Sequence, residues 1–393
     1  MIQDETAVTV PDSDIDLFTD EALTDPYPLF TALRGVGPVV RLPKYAFAVL
    51  TRYEDVRRAL EDWETFSSAS GVGLNPAINS AMSGTIINSD PPHHTSLRTV
   101  LSARLAPRAL AQMKSSIVEK AERFVDELVD RRAFDAVTDL ARTFPMAVVL
   151  DLLGFPEDGR DQLLRWGSAT FDAMGPDNAR SADALPVAAE MFAWLATSCT
   201  PDRMRSGGFA TTIHEAAARG DIPQEAVIPL MAGYSIPAFD TTISTIASAI
   251  SLFARFPEQW ALVRADPGLI PAAINEVLRL EPPIPLFARV LTRPYRGLLG
   301  AGERVLLLFG SANRDERKFV DADRFDVRRN PVDHLTFGYG IHGCPGQGLA
   351  RMEIQALLAA LARRVSRFEV TAPPRRELNN MTRALASLPV AVV

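Results

Sequence analysis

Residues 337–346, which read FGYGIHGCPG, constrain this chain more than any other stretch. They place one thiol, that of Cys344, in a loop with four glycines and one proline, just before an apolar segment with helical spacing. Backbone N–H groups directed at sulfur and the N-terminus of a following helix both lower the pKa of a thiol. Glycines let a backbone approach a flat ligand without side-chain clashes. The loop therefore predicts a thiolate that binds a metal, and a buried free cysteine in a turn is the alternative.

The spacing of Phe337, Gly340, His342, Cys344 and Gly346 resembles the heme-binding loop of the cytochrome P450 superfamily. The resemblance implies heme b (iron protoporphyrin IX) as the cofactor, with Cys344 as the axial ligand of iron and the rest of the loop against the macrocycle. A cysteine thiolate in this place pushes electron density onto heme iron and favours O–O cleavage. The resemblance also implies the fold class: mostly α with a small β region, a triangular helical prism with a long central distal helix.

Composition limits the class of protein. With 47% hydrophobic and 23% charged residues the chain is an ordinary globular protein, and a net charge of -7 argues against a nucleic-acid partner. Two cysteines, Cys199 and Cys344, imply no disulfide framework and fit a reducing compartment. The N-terminus shows no signal peptide and no apolar anchor. We therefore expect a soluble, cytoplasmic bacterial member without a membrane or a fused reductase, folded as one domain over 1–393 with an irregular arm at 1–25.

Hydrophobic patterning predicts a short hairpin followed by helices. Val39–Leu42 and 46–51 have the composition of strands, and 53–60 has helical spacing. Segment 67–89 has no charged residue and predicts a mobile loop with an apolar inner side. Helical periodicity dominates from 107 to about 153.

Further helices are predicted between 158 and 220, with breaks near 175–176 and 207–208. Asp221 is a candidate N-cap for a helix of more than thirty residues that ends at Phe256. Pro229 and Pro237 interrupt its pattern.

Glu276 and Arg279 share a face of a predicted helix at i,i+3 spacing. The resemblance gives this Glu-x-x-Arg pair a structural role, as part of a buried ion network that supports the heme loop. The third member is expected at Arg324 or a neighbour, although Ala322 departs from the proline usual there.

His94 and Arg98 lie at i,i+4 after Asp90-Pro91-Pro92. Buried anionic groups need fixed cations, and the resemblance implies that His94 and Arg98, with Arg289 and His342, hold the heme propionates. For His94 alone, a satisfied histidine at the start of a helix is the alternative.

Asp240 and Thr241 follow Pro237 and Ala238 in an apolar helix, where a buried acid and hydroxyl are costly unless satisfied or used. The resemblance implies that they are the acid–alcohol pair that delivers protons to dioxygen. The family usually has Ala-Gly where this chain has Pro-Ala, and we interpret Pro237 as another way of opening the helix. A helix N-cap is the alternative, while retention of both residues favours the route through oxygen and two electrons.

The resemblance also places substrate contacts in several apolar regions. The residues expected there are Ile86, Phe171, Met174, Pro237, Ala238, Leu286, Phe287 and Leu385. Because segment 67–89 has no Lys or Arg, a buried anionic substrate would carry a penalty of several kcal/mol. We therefore expect a neutral, mostly apolar substrate such as an aromatic ether, a phenol or a terpenoid. The stretch 311–315 is similar to family members that act on substituted benzoates, so an aromatic acid remains the second choice.

The resemblance implies a heme-thiolate monooxygenase that hydroxylates or O-dealkylates its substrate. Electrons would come from an iron–sulfur ferredoxin and its NAD(P)H reductase, docked against Arg104, Arg108, Lys114 and Arg351. Two alternatives are a peroxygenase that uses hydrogen peroxide and a heme-binding sensor or carrier without turnover.

Overall fold

The computed structural model describes residues 9–393 of the chain. Within this range helices dominate and the strands form three small sheets, so the predicted mostly α fold is confirmed. The α-helices are α1 (Asp20–Thr24), α2 (Tyr27–Val36), α3 (Tyr53–Glu61), α4 (Pro76–Ala81), α5 (His93–Ala103), α6 (Pro107–Val129), α7 (Thr143–Leu153), α8 (Leu163–Ala173), α9 (Ala179–Ser198), α10 (Phe209–Ala218), α11 (Val227–Ala238), α12 (Asp240–Arg255), α13 (Pro257–Ala265), α14 (Ile270–Leu280), α15 (Phe309–Ala312) and α16 (Gln347–Arg364).

The strands lie mostly at the two ends of the described chain. They are β1 (Val39–Leu42), β2 (Phe47–Leu50), β3 (Phe66–Ser67), β4 (Ala133–Asp135), β5 (Leu286–Leu291), β6 (Arg304–Leu308), β7 (Phe368–Val370), β8 (Arg375–Leu378), β9 (Arg383–Ser387) and β10 (Pro389–Val392). One sheet has the order β1-β2-β6-β5-β3, with β2 and β6 parallel and the other pairs antiparallel. The others are β4-β10-β7 and the hairpin β8-β9.

The helix ends follow from local chemistry. Pro107 opens α6 at its first position, where the missing N–H costs no hydrogen bond. Gly154 ends α7 with a φ of 72°, a left-handed conformation that glycine adopts without strain. Helices α8 and α9 pack together and α16 packs on α6, so that one large hydrophobic core joins them. A second core lies between the five-stranded sheet and α3.

The long central helix is present but interrupted. A 3-10 turn at Gln224–Ala226 leads into α11, which ends at Ala238, and α12 starts again at Asp240. The break follows Pro237, which lacks an N–H and crowds the preceding turn. Asp221 is therefore not the N-cap, and it pairs instead with Arg219. The stretch Gln224–Arg255 is long and apolar enough to cross a membrane, but about two thirds (67%) of its most apolar window is buried inside the protein, as in a core helix.

Other sequence predictions are confirmed with changes. The first hairpin strand has the predicted bounds, and its partner and the following helix differ from prediction by one residue at their ends. The region 107–153 is not one helical run, because β4 and a π-helical turn at Ala136–Ala141 separate α6 from α7. Segment 67–89 contains α4 and a 3-10 turn. The arm is irregular from residue 9 to 19, apart from a bridge to β1, and then forms α1, whereas residues 1–8 lie outside the described range.

Candidate active site

The loop that carries Cys344 is closed by its own backbone. The Cys344 N–H donates to the carbonyl of Phe337 across 2.7 Å, and α16 begins three residues after the cysteine. Burial raises the pKa of the Cys344 thiol above its ordinary value, while N–H groups of Gly346 and Gln347 and the charge of Arg98 lower it by less. The N–H groups that the sequence predicts to lower this pKa are present, but their effect is smaller than that of burial.

Two glycines give the loop its shape. Gly338 and Gly340 both have a φ of 68°, which other residues adopt only with strain. A Cβ on Gly340 would also lie 2.5 Å from the carbonyl oxygen of Leu60, at the end of α3. The backbone of this loop therefore packs directly on α3, and only glycine fits at that point.

A buried ion cluster lies behind the loop. Arg279 pairs with both carboxylate oxygens of Glu276 at 2.8 Å, and neither side chain is exposed. Arg329 makes a third contact with Glu276, at 3.0 Å from its Nε. The third member is thus Arg329, whereas Arg324 contributes only its backbone carbonyl. The chain between Arg324 and Arg329 directs the side chain of Arg329, and not that of Arg324, towards the carboxylate of Glu276.

Asn313 connects this cluster to the cysteine loop. Its carbonyl accepts from Arg279 at 2.8 Å, and its side-chain oxygen accepts from the N–H of Leu335 at 2.7 Å. Its side-chain amide donates to Thr336, whose hydroxyl in turn donates to the carbonyl of Leu278. Thr336 immediately precedes Phe337, so the ion cluster fixes the start of the loop through two shared residues. Ser311, Asn313 and Asp315, in the stretch 311–315 that suggested a benzoate-type member, are buried, whereas Arg314 is partly exposed.

A cavity of about 270 Å³ lies between the cysteine loop and the broken central helix. Its wall includes six of the residues predicted to contact substrate: Ile86, Phe171, Met174, Pro237, Ala238 and Phe287. The other two, Leu286 and Leu385, are buried in the core and do not line it. Adjacent residues of a strand point to opposite faces, so Phe287 faces the cavity and Leu286 faces away.

The sequence analysis missed part of this wall. Helix α7 contributes Val149, Leu152 and Leu153, and Phe209 of α10 lies beside them. These residues follow an ordinary apolar helical pattern, which cannot distinguish a cavity wall from a packed core.

Arginine and histidine side chains cluster at one side of the cavity. Arg289 is buried, and the hydrogen bond that the structure gives it is to the carbonyl of Ala288, its neighbour. Burial lowers the pKa of Arg289 to about 10, and the charge of Asp90 opposes that effect. Within the described residues Arg289 has no ion pair. A buried guanidinium without a counterion is a site for an anion.

His94 and His342 stand beside this guanidinium with their rings 4.6 Å apart. Among the described residues the buried Nε2 atoms of both have no hydrogen-bond partner, and Asp90 lies 3.9 Å from that of His342. Burial lowers the pKa of His94 to about 4, so its ring is neutral near pH 7. Arg98 donates to the carbonyl of Gly343, next to Cys344. Unsatisfied donors beside a thiol, in a cavity with glycines at its edge, fit an anionic macrocycle whose iron binds sulfur.

Asp240 and Thr241 lie at the break in the central helix. Thr241 lines the cavity, and its hydroxyl donates to the carbonyl of Pro237 at 2.9 Å. Asp240 is the first residue of α12, but its side chain makes no capping hydrogen bond, so it is not an N-cap. Its Oδ2 is buried without a partner in the described part of the chain, and burial raises the pKa of Asp240 to about 8. An acid that holds its proton at neutral pH thus adjoins a hydroxyl on the cavity wall.

The arginines predicted to dock a ferredoxin are partly engaged. Arg104 donates to Thr212 and to the carbonyl of Gly207. Arg351 is half-buried, bonds to Asn275 and stacks over Phe337, with 4.9 Å from its guanidinium carbon to the ring centroid. These two side chains stabilise the fold, which reduces the positive charge available to a partner.

Comparison with known proteins gives consistent matches along the chain. The family described as Cytochrome P450 matches residues 32–197 and 264–391. A protein named Cytochrome p450 CYP199A2, from Rhodopseudomonas palustris, is 38% identical over 97% of this chain and 94% of its own length. A beta-dihydromenaquinone-9 omega-hydroxylase from Mycobacterium bovis is 34% identical over 97% of this chain and 78% of its own. The solved structure of epothilone D-bound P450epoK has a TM-score of 0.85 at 28% identity and covers 97% of this chain, with 99% of its own matched.

Proposed function

Because the chain belongs to the cytochrome P450 family and is therefore a heme b monooxygenase, we propose that it hydroxylates or O-dealkylates a small, mostly apolar substrate. Dioxygen is the oxidant, and a separate iron–sulfur ferredoxin with its NAD(P)H reductase supplies two electrons. A cytoplasmic location belongs to the same proposal. One relative is named for its action on beta-dihydromenaquinone-9 and one solved structure holds epothilone D, so the substrate has to be argued from the cavity of this chain.

The observation that carries the proposal is the state of the hydroxyl groups in the cavity wall. Of the six hydroxyl groups that line the cavity, five already donate to backbone carbonyls: Thr85 to Met82, Tyr234 to Leu101, Thr241 to Pro237, Thr245 to Thr241 and Thr336 to Leu278. The sixth, Thr242, makes no side-chain hydrogen bond within the described residues. A polar substrate would have to break such bonds or leave its own acceptors unpaired, at about 1–3 kcal/mol for each group. An apolar substrate leaves these bonds intact.

Charge supports the same conclusion. Among the residues that line the cavity, the arginines are Arg98 and Arg289. Both stand at the nitrogen-rich side, where with His94 and His342 they would hold the propionates of heme. A substrate carboxylate would therefore meet no cation of its own. This argues against a substituted benzoic acid, which stays the second candidate because the stretch 311–315 is similar to benzoate-oxidising members.

The residues of the chain divide the work around the cofactor. Cys344 would bind the iron of heme, and Phe337 and Gly346 would help to hold the cofactor. When bound, heme supplies the activation of dioxygen that the protein alone cannot perform. Thr241 Oγ1 would pass protons at the cavity wall, and Asp240 would replace them from its buried carboxyl group. The apolar wall excludes water from the site, which limits side reactions that consume electrons without forming product.

A pair of molecules that differ by one methyl group and one negative charge tests the substrate class. We expect a para-substituted methyl benzoate to displace the water on ferric heme, read as a spin-state shift, at a lower concentration than the corresponding benzoate. The ester lacks the charge that the cavity cannot neutralise. If the free acid binds more tightly than its ester, the aromatic-acid alternative replaces our proposal.

Turnover distinguishes the remaining alternatives. Product formation with ferredoxin, reductase and NADH, but not with peroxide alone, supports the monooxygenase route. Efficient turnover with peroxide alone would indicate a peroxygenase, and absence of product from every ligand that shifts the spin state would indicate a sensor. In the Thr241→Ala variant, NADH consumption should continue while its electrons are diverted to peroxide.

A further inference from the structure

The carboxyl group of Asp240 is turned away from the cavity. Asp240 is not among the residues that line it, whereas Thr241, the next residue, is. A Cβ placed on Gly167 of α8 would lie 3.4 Å from Oδ2 of Asp240, so this oxygen abuts the backbone of α8. No described residue bonds to it. A proton on Asp240 therefore has to be replaced from the α8 side.

A surface ion pair stands on that side. Ser168, next to Gly167, donates to Oε1 of Glu377 at 3.0 Å, and Oε2 of Glu377 lies 3.6 Å from Arg142. The side chain of Glu377 is 35% exposed and that of Arg142 is 40% exposed, so both reach solvent. The side chain of Asn379 donates to the carbonyl of Ser168 and fixes the β8-β9 hairpin against α8. Glu377 is thus held between bulk water and the layer of α8 that covers Asp240.

Other charged groups near α12 are engaged elsewhere. Arg383 of β9 pairs with Glu281 at 2.9 Å, and Asp139 of the π-helical turn pairs with Arg131. Asp172 of α8 accepts from the N–H of Asn380. The charges that act on the pKa of Asp240 are consequently the two members of the surface pair. Glu377 raises that pKa, in addition to the larger effect of burial, and Arg142 lowers it.

We propose that Glu377 is the solvent-side carboxylate through which protons reach Asp240, and that Arg142 holds it in place. The inference rests on the proposed monooxygenase function and assigns a proton entrance to that same site. Glu377 is a positioning and relay residue, since it contacts neither substrate nor cofactor.

The proton balance is simple. The O–H bond of Asp240 breaks as its proton moves towards Thr241 and the cavity, which leaves a carboxylate. Glu377 takes one proton from bulk water and releases it through water to that carboxylate, so a new O–H bond forms on Asp240. Each cycle moves one proton inward and leaves both residues as they began. No oxidant or reductant is needed beyond those of the reaction itself.

Two substitutions should move Asp240 in opposite directions. Glu377→Gln removes the negative neighbour and should lower the titration midpoint of Asp240, whereas Arg142→Gln should raise it. The midpoint is measured by carbon NMR of protein labelled at aspartate, as the reduced carbon-monoxide complex, with Asp240→Asn to assign the signal. A purely structural pair would move the midpoint in the same direction in both variants, or not at all.

Turnover gives the second measurement. Glu377→Gln should reduce the fraction of electrons that reach product by roughly tenfold, which is less than the roughly 10²–10⁴-fold typical of a direct general acid or base because Glu377 acts through Asp240. It should also enlarge the solvent isotope effect on turnover. The control is Glu369→Gln in β7, which removes another exposed carboxylate paired with an arginine, Arg367, in a different sheet. Unchanged coupling and isotope effect in Glu377→Gln, or an equal loss in the control, would overturn the proposal.

Failure here is distinguishable from failure of the proposed function. The carbon-monoxide spectrum and the substrate-induced spin shift depend on heme binding and the cavity, and neither should change in Glu377→Gln. If the wild-type protein forms no product at all, the proposed function fails. If it does form product and Glu377→Gln behaves like it in the NMR titration and in coupling, only the proton entrance is wrong.

Discussion

Two loops border the same cavity and are held in different ways. The cysteine loop (residues 337–346) is closed by its own backbone and braced by the buried cluster of Glu276, Arg279 and Arg329. The wall loop (residues 67–89), which contributes Met82, Thr85 and Ile86 to the cavity, has no charged residue.

Side chains that bind backbone hold the wall loop. Arg304 of β6 donates to the carbonyls of Ser70, Gly71 and Gly73 at 2.7–3.2 Å. The amide of Asn79 both donates to and accepts from Gly73. The cysteine loop is therefore held by a buried ion cluster and shows a recognisable sequence motif. The wall loop is held by side chains that bind its backbone, and it shows no such motif.

The largest effect is expected at the cysteine loop itself. Cys344→Ala should abolish the red-shifted band that the reduced protein gives with carbon monoxide, because no other described cysteine lies near the cavity. Cys199 is buried in the core, and burial raises its pKa to about 12. A Cys199→Ala variant is the control and should retain the band. Survival of the band in Cys344→Ala would show that another residue binds iron.

Disrupting the buried cluster of Glu276, Arg279 and Arg329 should destabilise the whole protein. Glu276→Ala leaves the buried guanidinium of Arg279 and the partly buried one of Arg329 without their carboxylate. Breaking a buried pair costs about 3–5 kcal/mol. Denaturant unfolding measures the change in the free energy of unfolding. Glu303→Ala breaks the exposed pair with Arg41 and should cost far less, because water screens that pair. Equal losses in the two variants would contradict the role of the cluster.

A glycine from each loop gives a matched comparison. Gly340 and Gly84 have φ angles of 68° and 78°, but only Gly340 is crowded, since nothing lies within 4 Å of a Cβ built on Gly84. Left-handed strain should cost Gly84→Ala about 1–2 kcal/mol. Gly340→Ala adds the clash with Leu60, for a total of about 2–5 kcal/mol. If both variants lose the same stability, the cysteine loop does not pack as tightly on α3 as its geometry requires.

Arg304→Met should loosen the wall loop and leave the cysteine loop unchanged. The variant keeps the apolar stem and removes three charge-assisted hydrogen bonds, each of which contributes about 1.5–3 kcal/mol at most. We expect faster hydrogen exchange in residues 70–74 and weaker substrate binding, with an unaltered carbon-monoxide spectrum. Arg41→Met, on β1 of the same sheet, is the control. Unchanged exchange in Arg304→Met would show that other contacts hold the loop.

Low pH should also affect the two loops differently, and we expect this effect to be smaller than those of the substitutions above. Burial, with a further contribution from Arg351, lowers the pKa of His334 to about 3. Its Nδ1 accepts from the N–H of Thr336 just before the cysteine loop. As the pH falls, His334 therefore becomes protonated in the unfolded chain before it does in the folded protein. The free energy of unfolding consequently decreases between about pH 6.5 and pH 3, by at most about 1.4 kcal/mol per pH unit.

His334→Asn isolates this contribution, because Asn keeps an acceptor and does not titrate. Its free energy of unfolding should fall less steeply between pH 7 and pH 5 than that of the wild type. Parallel slopes would show that His334 is already protonated in the fold. The wall loop carries no titratable side chain, so its hydrogen exchange should not follow the same titration.

Sequence patterns predicted the parts of the site in which chemistry restricts residue choice. The cysteine loop, the helix break after Pro237 and the pairing of Glu276 with Arg279 were all visible as spacing. Arg329 and Arg304 were not, because each reaches its partners across long stretches of chain without a local pattern. Leu286 was misplaced for a related reason: an apolar strand buried on both faces does not reveal which face borders a cavity.

The engaged hydroxyl groups of the cavity have a consequence for selectivity. A substrate that forms no hydrogen bond with the wall is oriented by shape alone. Molecules much smaller than the cavity should tumble and be oxidised at several carbons, whereas bulkier ones should give a single product. The ratio of products across a series of increasing size would then measure how closely each molecule fills the space.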